Sequence, residues 1–371
     1  MIYFDNAATS FPKPNCVIKE VNKCLRYYCG NPGRSGHKLS VYSSEKIYDT
    51  RAQICGLVGI DEPERIVFTE NASYALNLAI KNSVKSGDHI LISDIEHNSV
   101  LRTVDRLSRE CACKYEIFPH DAKVSDIELL INDNTSLVVS NAVSNVNGCE
   151  NSLKAISKLR QKYNFRYVID ASQMLGHKRF LNTEYKCDIL CAPSHKALFG
   201  IQGSGFCVFF SDPLSGGFID GGSGNESRKR SMPDDLPERF EAGTLPTPSI
   251  VSLGEGIKYI NTISIEAIEE KISVLSSASQ DRLLSIPRIE IYGAQNGVVS
   301  FNIKDIPSHI VAKLLDENGI CVRSGLHCAP LAHERIGTIT TGTVRISFSY
   351  FNTIKELDKF YKILREIVNT N

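Results

Sequence analysis

Short, mostly apolar runs alternate with longer stretches of helical periodicity through the first two thirds of the chain. Residues 65–69, 89–93, 136–140, 166–170, 187–192 and 205–210 have the length and β-branched content of strands buried on both faces. Strands separated by helices predict an α/β fold with a mostly parallel sheet covered on both sides. Ligands in such sheets collect beyond the carboxyl ends of the strands, and Glu96-His97-Asn98, Asn145 and Asp170 fall there. Residues 216–248 lose both periodicities and become rich in Gly, Ser, Pro and charge. This predicts a long loop over the surface or at a subunit contact. From about residue 250 the pattern is helix, then strands at 289–292, 297–303 and 342–348. A final helix follows, with Ile354, Leu357, Phe360, Tyr361, Leu364 and Ile367 on one face. A second, smaller α+β unit is expected, with no internal repeat and no low-complexity tract.

A chain of 371 residues can bury a sizeable core and suits two closely packed domains. Its 42 basic and 42 acidic residues cancel, so no overall field points to nucleic acid or to an anionic membrane. The first residues lack a basic and apolar leader pattern, and no apolar stretch is long enough to span a bilayer. A cytoplasmic, non-membrane protein is therefore expected. Twelve scattered cysteines read as reduced thiols rather than a disulfide framework. The spacing of Cys111 and Cys113 fits neither a zinc knuckle nor a redox pair, so no metal site is expected.

The most specific segment runs from Asp188 to Gly205. Here a buried strand ends at Ser194-His195-Lys196 and closely spaced glycines follow. A desolvated lysine near other cations has a lowered pKa and can form a Schiff base with an aldehyde cofactor. Upstream, Asp170-Ala171-Ser172-Gln173 puts a carboxylate at a strand end, where it can pair with a protonated pyridine nitrogen. Alone, Lys196 reads as a surface lysine in a turn and Asp170 as a helix N-cap. Together they point to a cofactor site.

These two segments closely resemble the class V aminotransferase family of pyridoxal-phosphate (PLP) enzymes of fold type I. Further matches follow in family order: Tyr3 to Thr9, Asn31 to His37, Thr69 to Ser73, Glu96-His97-Asn98, Val143 to Gly148 and Arg239 to Thr244. The resemblance implies a large PLP-binding domain over residues 16–255 with a seven-stranded sheet. Residues 1–15 and 256–371 would form the smaller domain. It implies that Lys196 carries the cofactor, Asp170 holds the pyridine nitrogen, Gln173 bonds the ring hydroxyl and His97 stacks on the ring. Ala72 and Ser73 at a helix start, with Ser194 and His195, would hold the phosphate. Thr244 would reach the phosphate of a neighbouring subunit, implying a homodimer. Relatives often carry two threonines where this chain has Ala72-Ser73.

Transaminases, hydrolases and desulfurases share this scaffold, so the reaction must be argued from the site. The segment from Val322 to Leu331 resembles the short active-site loop of Suf-type (group II) cysteine desulfurases and bacterial selenocysteine lyases. A thiolate at Cys328 beside Arg323 and His327 would attack a substrate thiol or selenol. The same resemblance assigns Arg345 to the substrate α-carboxylate, with Asn145 assisting and Arg323 and His37 as further substrate contacts. His97 and His327 are candidate proton shuttles, because an unperturbed imidazole titrates near neutral pH. L-cysteine is the expected substrate. L-selenocysteine, a true aminotransferase and another PLP lyase are the alternatives, and a sulfur or selenium acceptor protein is the implied partner. Two departures stand out: Leu326 replaces the first of the paired histidines usual before the Cys, and the 216–239 region is shorter than in relatives. The chain also opens at the family's Asp-Asn-Ala-Ala segment without the helix that usually precedes it.

Overall fold

The computed structural model describes residues 1–33 and 35–370, so Arg34 of the 31–37 motif lies outside the described residues. The chain starts with β1 (Ile2–Tyr3), α1 (Asn15–Lys23) and α2 (Lys38–Val58). A large sheet then forms from β2 (Ile66–Thr69), β3 (His89–Ser93), β4 (Lys114–Phe118), β5 (Thr135–Asn141), β6 (Arg166–Asp170), β7 (Ile189–Pro193) and β8 (Gly205–Phe209). Between its strands run α3 (Ala72–Asn82), α4 (Asn98–Glu110), α5 (Val124–Glu128), α6 (Leu153–Leu159) and α7 (Asn182–Tyr185). After α8 (Thr247–Ile263) and α9 (Ile265–Leu284) come β9 (Ile289–Gln295), β10 (Val298–Ile303), α10 (Ser308–Glu317) and β11 (Ile320–Cys321). The described chain closes with β12 (Arg323–Gly325), α11 (Pro330–Arg335), β13 (Thr343–Ser347) and α12 (Ile354–Thr370).

The large sheet has the order β2-β8-β7-β6-β5-β3-β4, and only β8 runs against its neighbours. Every residue of β3, β7 and β8 is buried, as strands covered on both faces require. The one strand of this sheet missing from the sequence pattern is β4, an edge strand whose Lys114 and Glu116 face solvent. Residues 210–246 form no helix or strand, as the loss of periodicity predicts. This loop is anchored where the buried Glu241 carboxylate accepts from Arg51 Nη2 with both oxygens, at 2.8 and 2.6 Å.

A four-stranded antiparallel sheet, β12-β13-β10-β9, packs beside the large one, and one continuous apolar core joins them through residues such as Phe4, Phe68, Phe301 and Phe360. The two chain ends meet: β1 pairs in parallel with β11, and Asp5 bridges to Ser347 at the end of β13. In α12, Leu357, Phe360, Tyr361, Leu364 and Ile367 are buried as expected. Ile354 is exposed instead, because it occupies the first turn, before the helix reaches the core.

Candidate active site

Five strand ends converge on a cavity of about 220 Å³. β2 delivers Asn71, Ala72 and Ser73; β3 delivers His97; β5 delivers Asn141 and Asn145; β6 delivers Asp170, Ser172 and Gln173; β7 delivers Pro193, His195 and Lys196. The second sheet closes it with Arg323, His327 and Arg345, and the N-terminal segment with Ala7 and Ala8. The predicted lysine, carboxylate, glutamine and arginine thus share one lining, although they come from 170 to 345 in sequence.

Three features show what the cavity can hold. Ala72 and Ser73 open α3, whose N-cap Asn71 satisfies only the Tyr74 N–H, so the first two amides lack intrahelical acceptors and form an anion cradle. Gly205 keeps that cradle in place, since a Cβ there would sit 2.5 Å from the Asn71 carbonyl carbon and 2.7 Å from the Ala72 nitrogen. Finally, buried side-chain atoms without a hydrogen-bond partner gather in this lining: Asn141 Oδ1, Asn145 Oδ1, His195 Nδ1, His327 Nδ1 and Arg345 Nε. Native interiors leave few such groups, so their concentration marks a polar ligand's place. A phosphate-bearing cofactor with a polar ring fits this set.

The electrostatics follow from burial. The Lys196 ammonium is pushed down to about 8, first by burial and against the opposing pull of Asp170, with Arg345 and Arg323 adding repulsion. More neutral amine is therefore present at neutral pH than in an exposed lysine. His97 is held at about 4, mainly by burial and then by Lys196. Its Nδ1 accepts the Ser99 N–H at 3.1 Å, which leaves the proton of the neutral ring on Nε2. His327 is driven to about 2 by burial and then by Arg345. For both rings, dehydration disfavours the imidazolium and moves titration below the neutral range expected of an unperturbed imidazole. His327 is held at both its ring and its backbone. Its Nε2 meets the Thr343 hydroxyl at 3.1 Å, and its carbonyl accepts the Asn145 amide at 2.7 Å.

Cys328 follows His327 and is exposed, with Sγ 3.5 Å from Nη2 of Arg323, a residue of the lining. Of the two cations expected beside the thiol, Arg323 is in place and His327 is uncharged. The loop is fixed by the Asn98 N–H donating to the Cys328 carbonyl at 2.7 Å, and both His327 and Cys328 adopt left-handed backbone, at φ of 49° and 59°. Arg345 is fully buried and lies directly opposite Arg323 across the β12–β13 ladder. Its Nη2 donates to Asp5 at 2.7 Å and its Nη1 to the Asn145 carbonyl at 2.9 Å.

Not every candidate reaches the cavity. The Ser194 hydroxyl is fully buried among the carbonyls of Ile201 and Ser204, 2.8 and 2.7 Å away, and does not face the lining. His37 is exposed at the N-cap of α2, and Thr244 is exposed in the long loop, beside a separate groove. Conversely, the sequence reading assigned no role to Asp5 or Lys13. Asp5 offsets the dehydration of Arg345. Lys13 donates to the His195 carbonyl at 2.8 Å, while the Ser10 hydroxyl donates to that of Lys196 at 2.8 Å, strapping the N-terminal segment across the lysine turn. A carboxylate inside the Tyr3–Thr9 motif was the available signal for the first; nothing local marked the second.

The sequence matches the family model described as aminotransferase class-V over residues 2–360. A probable cysteine desulfurase of Pyrococcus abyssi is 34% identical, the alignment covering 100% of this chain and 95% of that protein. Another from Methanothermobacter thermautotrophicus is 32% identical, covering 99% and 94% respectively. Among solved structures, the apo cysteine desulfurase of Thermococcus onnurineus NA1 aligns with a TM-score of 0.90 at 30% identity, over 100% of this chain and 95% of that one.

Proposed function

The chain belongs to the aminotransferase class-V family, and from that membership we propose that it is a PLP-dependent cysteine desulfurase that releases L-alanine and takes sulfur onto Cys328. The observation that carries this reading is the exposed Cys328 thiol 3.5 Å from Arg323, a residue that lines one cavity with Lys196 and Asp170. The desulfurase relatives support it.

PLP would be held by the Ala72 and Ser73 amides at its phosphate, by Asp170 at the ring nitrogen, by Gln173 at the ring hydroxyl and by His97 on the ring face, with Lys196 as its attachment point. When bound, it supplies an electron sink for the carbanion at the substrate Cα. The remaining roles belong to side chains. Arg345 and Asn145 bind the substrate carboxylate, which partners the dehydrated guanidinium and sets the Cα within reach of Lys196. The Lys196 Nζ, neutral in part because of its burial, takes the Cα proton and later returns one. Cys328 attacks the substrate sulfur: a sulfur–sulfur bond forms as the carbon–sulfur bond breaks, and the carbon keeps the electron pair and is reprotonated as alanine. The exposure of Cys328 leaves its persulfide open to an acceptor thiol. His37 and Thr244, which lie outside the cavity of one protomer, fit a homodimer in which they serve the neighbouring site.

Alanine release by the PLP-loaded protein from L-cysteine and from L-selenocysteine tests the reading, with Cys328→Ala as the control. Release from cysteine that falls at least about 100-fold in the variant supports it, by analogy with the loss of other covalent nucleophiles. Release from selenocysteine alone makes the protein a selenocysteine lyase, and release from neither removes both.

A further inference from the structure

The segment from Asp5 to Lys13 touches all three parts of the site. Asp5 pairs with Arg345, the Ala7 carbonyl accepts the Gln173 amide at 2.9 Å, and Thr9, Ser10 and Lys13 meet the turn that carries Lys196. The contacts with that turn fall on two carbonyls. The His195 carbonyl accepts the Ser10 N–H at 3.1 Å, the Thr9 hydroxyl at 3.0 Å and the Lys13 ammonium at 2.8 Å. The Lys196 carbonyl accepts the Ser10 hydroxyl at 2.8 Å, and that hydroxyl in turn accepts from Lys13 at 2.8 Å. One cation therefore holds both peptide groups that flank the Lys196 Cα, the first directly and the second through Ser10.

Lys13 is half-buried, and among the described residues it meets no carboxylate. Burial alone pushes its ammonium down to about 8. A cation that serves only the surface keeps its water or takes an acidic partner; this one is dehydrated against two neutral oxygens beside the cofactor lysine. Neither Lys13 nor Ser10 lines the cavity, so neither touches a molecule bound there. We propose that Lys13 is a positioning residue for the reaction at Lys196.

The inference rests on the PLP-dependent reading and adds to it the group that aims the lysine. Fixing the two flanking peptide planes fixes the direction in which the flexible Lys196 side chain leaves the backbone. That direction sets where Nζ stands once the substrate amine has displaced it and the Cα proton must be taken. A misplacement of about 1 Å at such a step can cost on the order of 100-fold in rate. Charge-assisted hydrogen bonds are the strong ones, and a chain of them from Lys13 through Ser10 to the Lys196 carbonyl is stiffer than its separate links.

The test compares the PLP-loaded parent with Lys13→Met, which keeps the length and removes the donors, and with Lys13→Arg, which keeps a cation. At equal PLP content, Lys13→Met should lose most of the visible circular dichroism of the bound cofactor, because the lysine no longer holds it in one orientation. Its kcat for alanine release from L-cysteine should fall at least about tenfold with KM within about twofold of the parent, and Lys13→Arg should recover most of both signals. A contact that only stabilises the fold would leave the dichroism per bound PLP unchanged below the melting temperature. Parent-like dichroism and kcat in Lys13→Met overturn the proposal, as does a change confined to KM. Should Lys13→Met fail to fold, Ser10→Ala breaks only the arm to the Lys196 carbonyl, and undiminished dichroism in that variant overturns the proposal equally. The dichroism is read without turnover, so it tests the aiming of Lys196 whichever amino acid is the substrate. A parent that binds no PLP removes the cofactor reading and this inference together, whereas a PLP-bound parent with unaltered variants removes this inference alone.

Discussion

At the residue scale, the site is shaped by dehydration as much as by charge pairing. Glu96 shows the effect most plainly. It is fully buried beside Asp170, and although the Asn141 amide donates to it at 2.6 Å, burial raises its carboxyl to about 8. The folded protein therefore keeps a proton that the unfolded chain releases above about 4.5. With fewer protons bound in the unfolded state, stability falls as pH rises from 4.5 toward 8, by on the order of a few kcal/mol from this group. Glu96→Gln removes that titration, so its melting temperature should fall less than the parent's between pH 5 and 8. Parallel slopes in a calorimetric pH series would show that Glu96 is already ionised in the fold. Lys196 and Asp170 were legible in the sequence because each ends an apolar run. The neutral state of His97 and His327 was not, because burial depends on which distant segments pack over a ring. Asp5 escaped for a related reason: its partner Arg345 lies 340 positions away.

At the level of elements, the anion cradle depends on how α3 meets β8. In the Thr69–Gly205 pairing the strand backbone comes so close to Asn71 and Ala72 that a side chain has no room. Gly205→Ala should displace the start of α3 and weaken PLP binding by at least about tenfold, some 1.4 kcal/mol, while the far side of the helix stays packed. Titration of the apo variant with PLP, followed by cofactor absorbance, measures this; an unchanged affinity would show that the helix start does not carry the phosphate. Strands buried on both faces announced themselves by continuous apolar runs, which is why six of the seven in the large sheet were legible to within two residues at either end. The edge strand β4, half wet, left no such trace.

For the whole molecule, the long loop and the helices beside it expose more apolar surface than a lone protomer needs. Tyr74, Phe218 and Ile219 are exposed, and they line a groove with Phe240 and Leu245, next to Thr244. A patch of this kind suits association with a second copy. Light scattering should give twice the 41.1 kDa of one chain, and Phe218→Asp should shift the protein toward the single-chain mass. A 41.1 kDa particle for the parent sequence would refute the homodimer.

The pairing of the first and last parts of the chain has a further consequence, for biosynthesis. Asn6 donates to the Ser347 carbonyl at 2.9 Å and to Asn352 at 3.1 Å, and Asp5 meets Arg345. When a ribosome has just translated Lys196, the partners of the N-terminal segment, Arg345 to Asn352, are still about 150 codons away. During that interval the lysine turn can be strapped by Ser10 and Lys13, but the carboxylate pocket does not yet exist. Nascent chains would thus become able to hold the cofactor before they become able to hold the amino acid, an order that keeps a half-made enzyme from acting on its substrate.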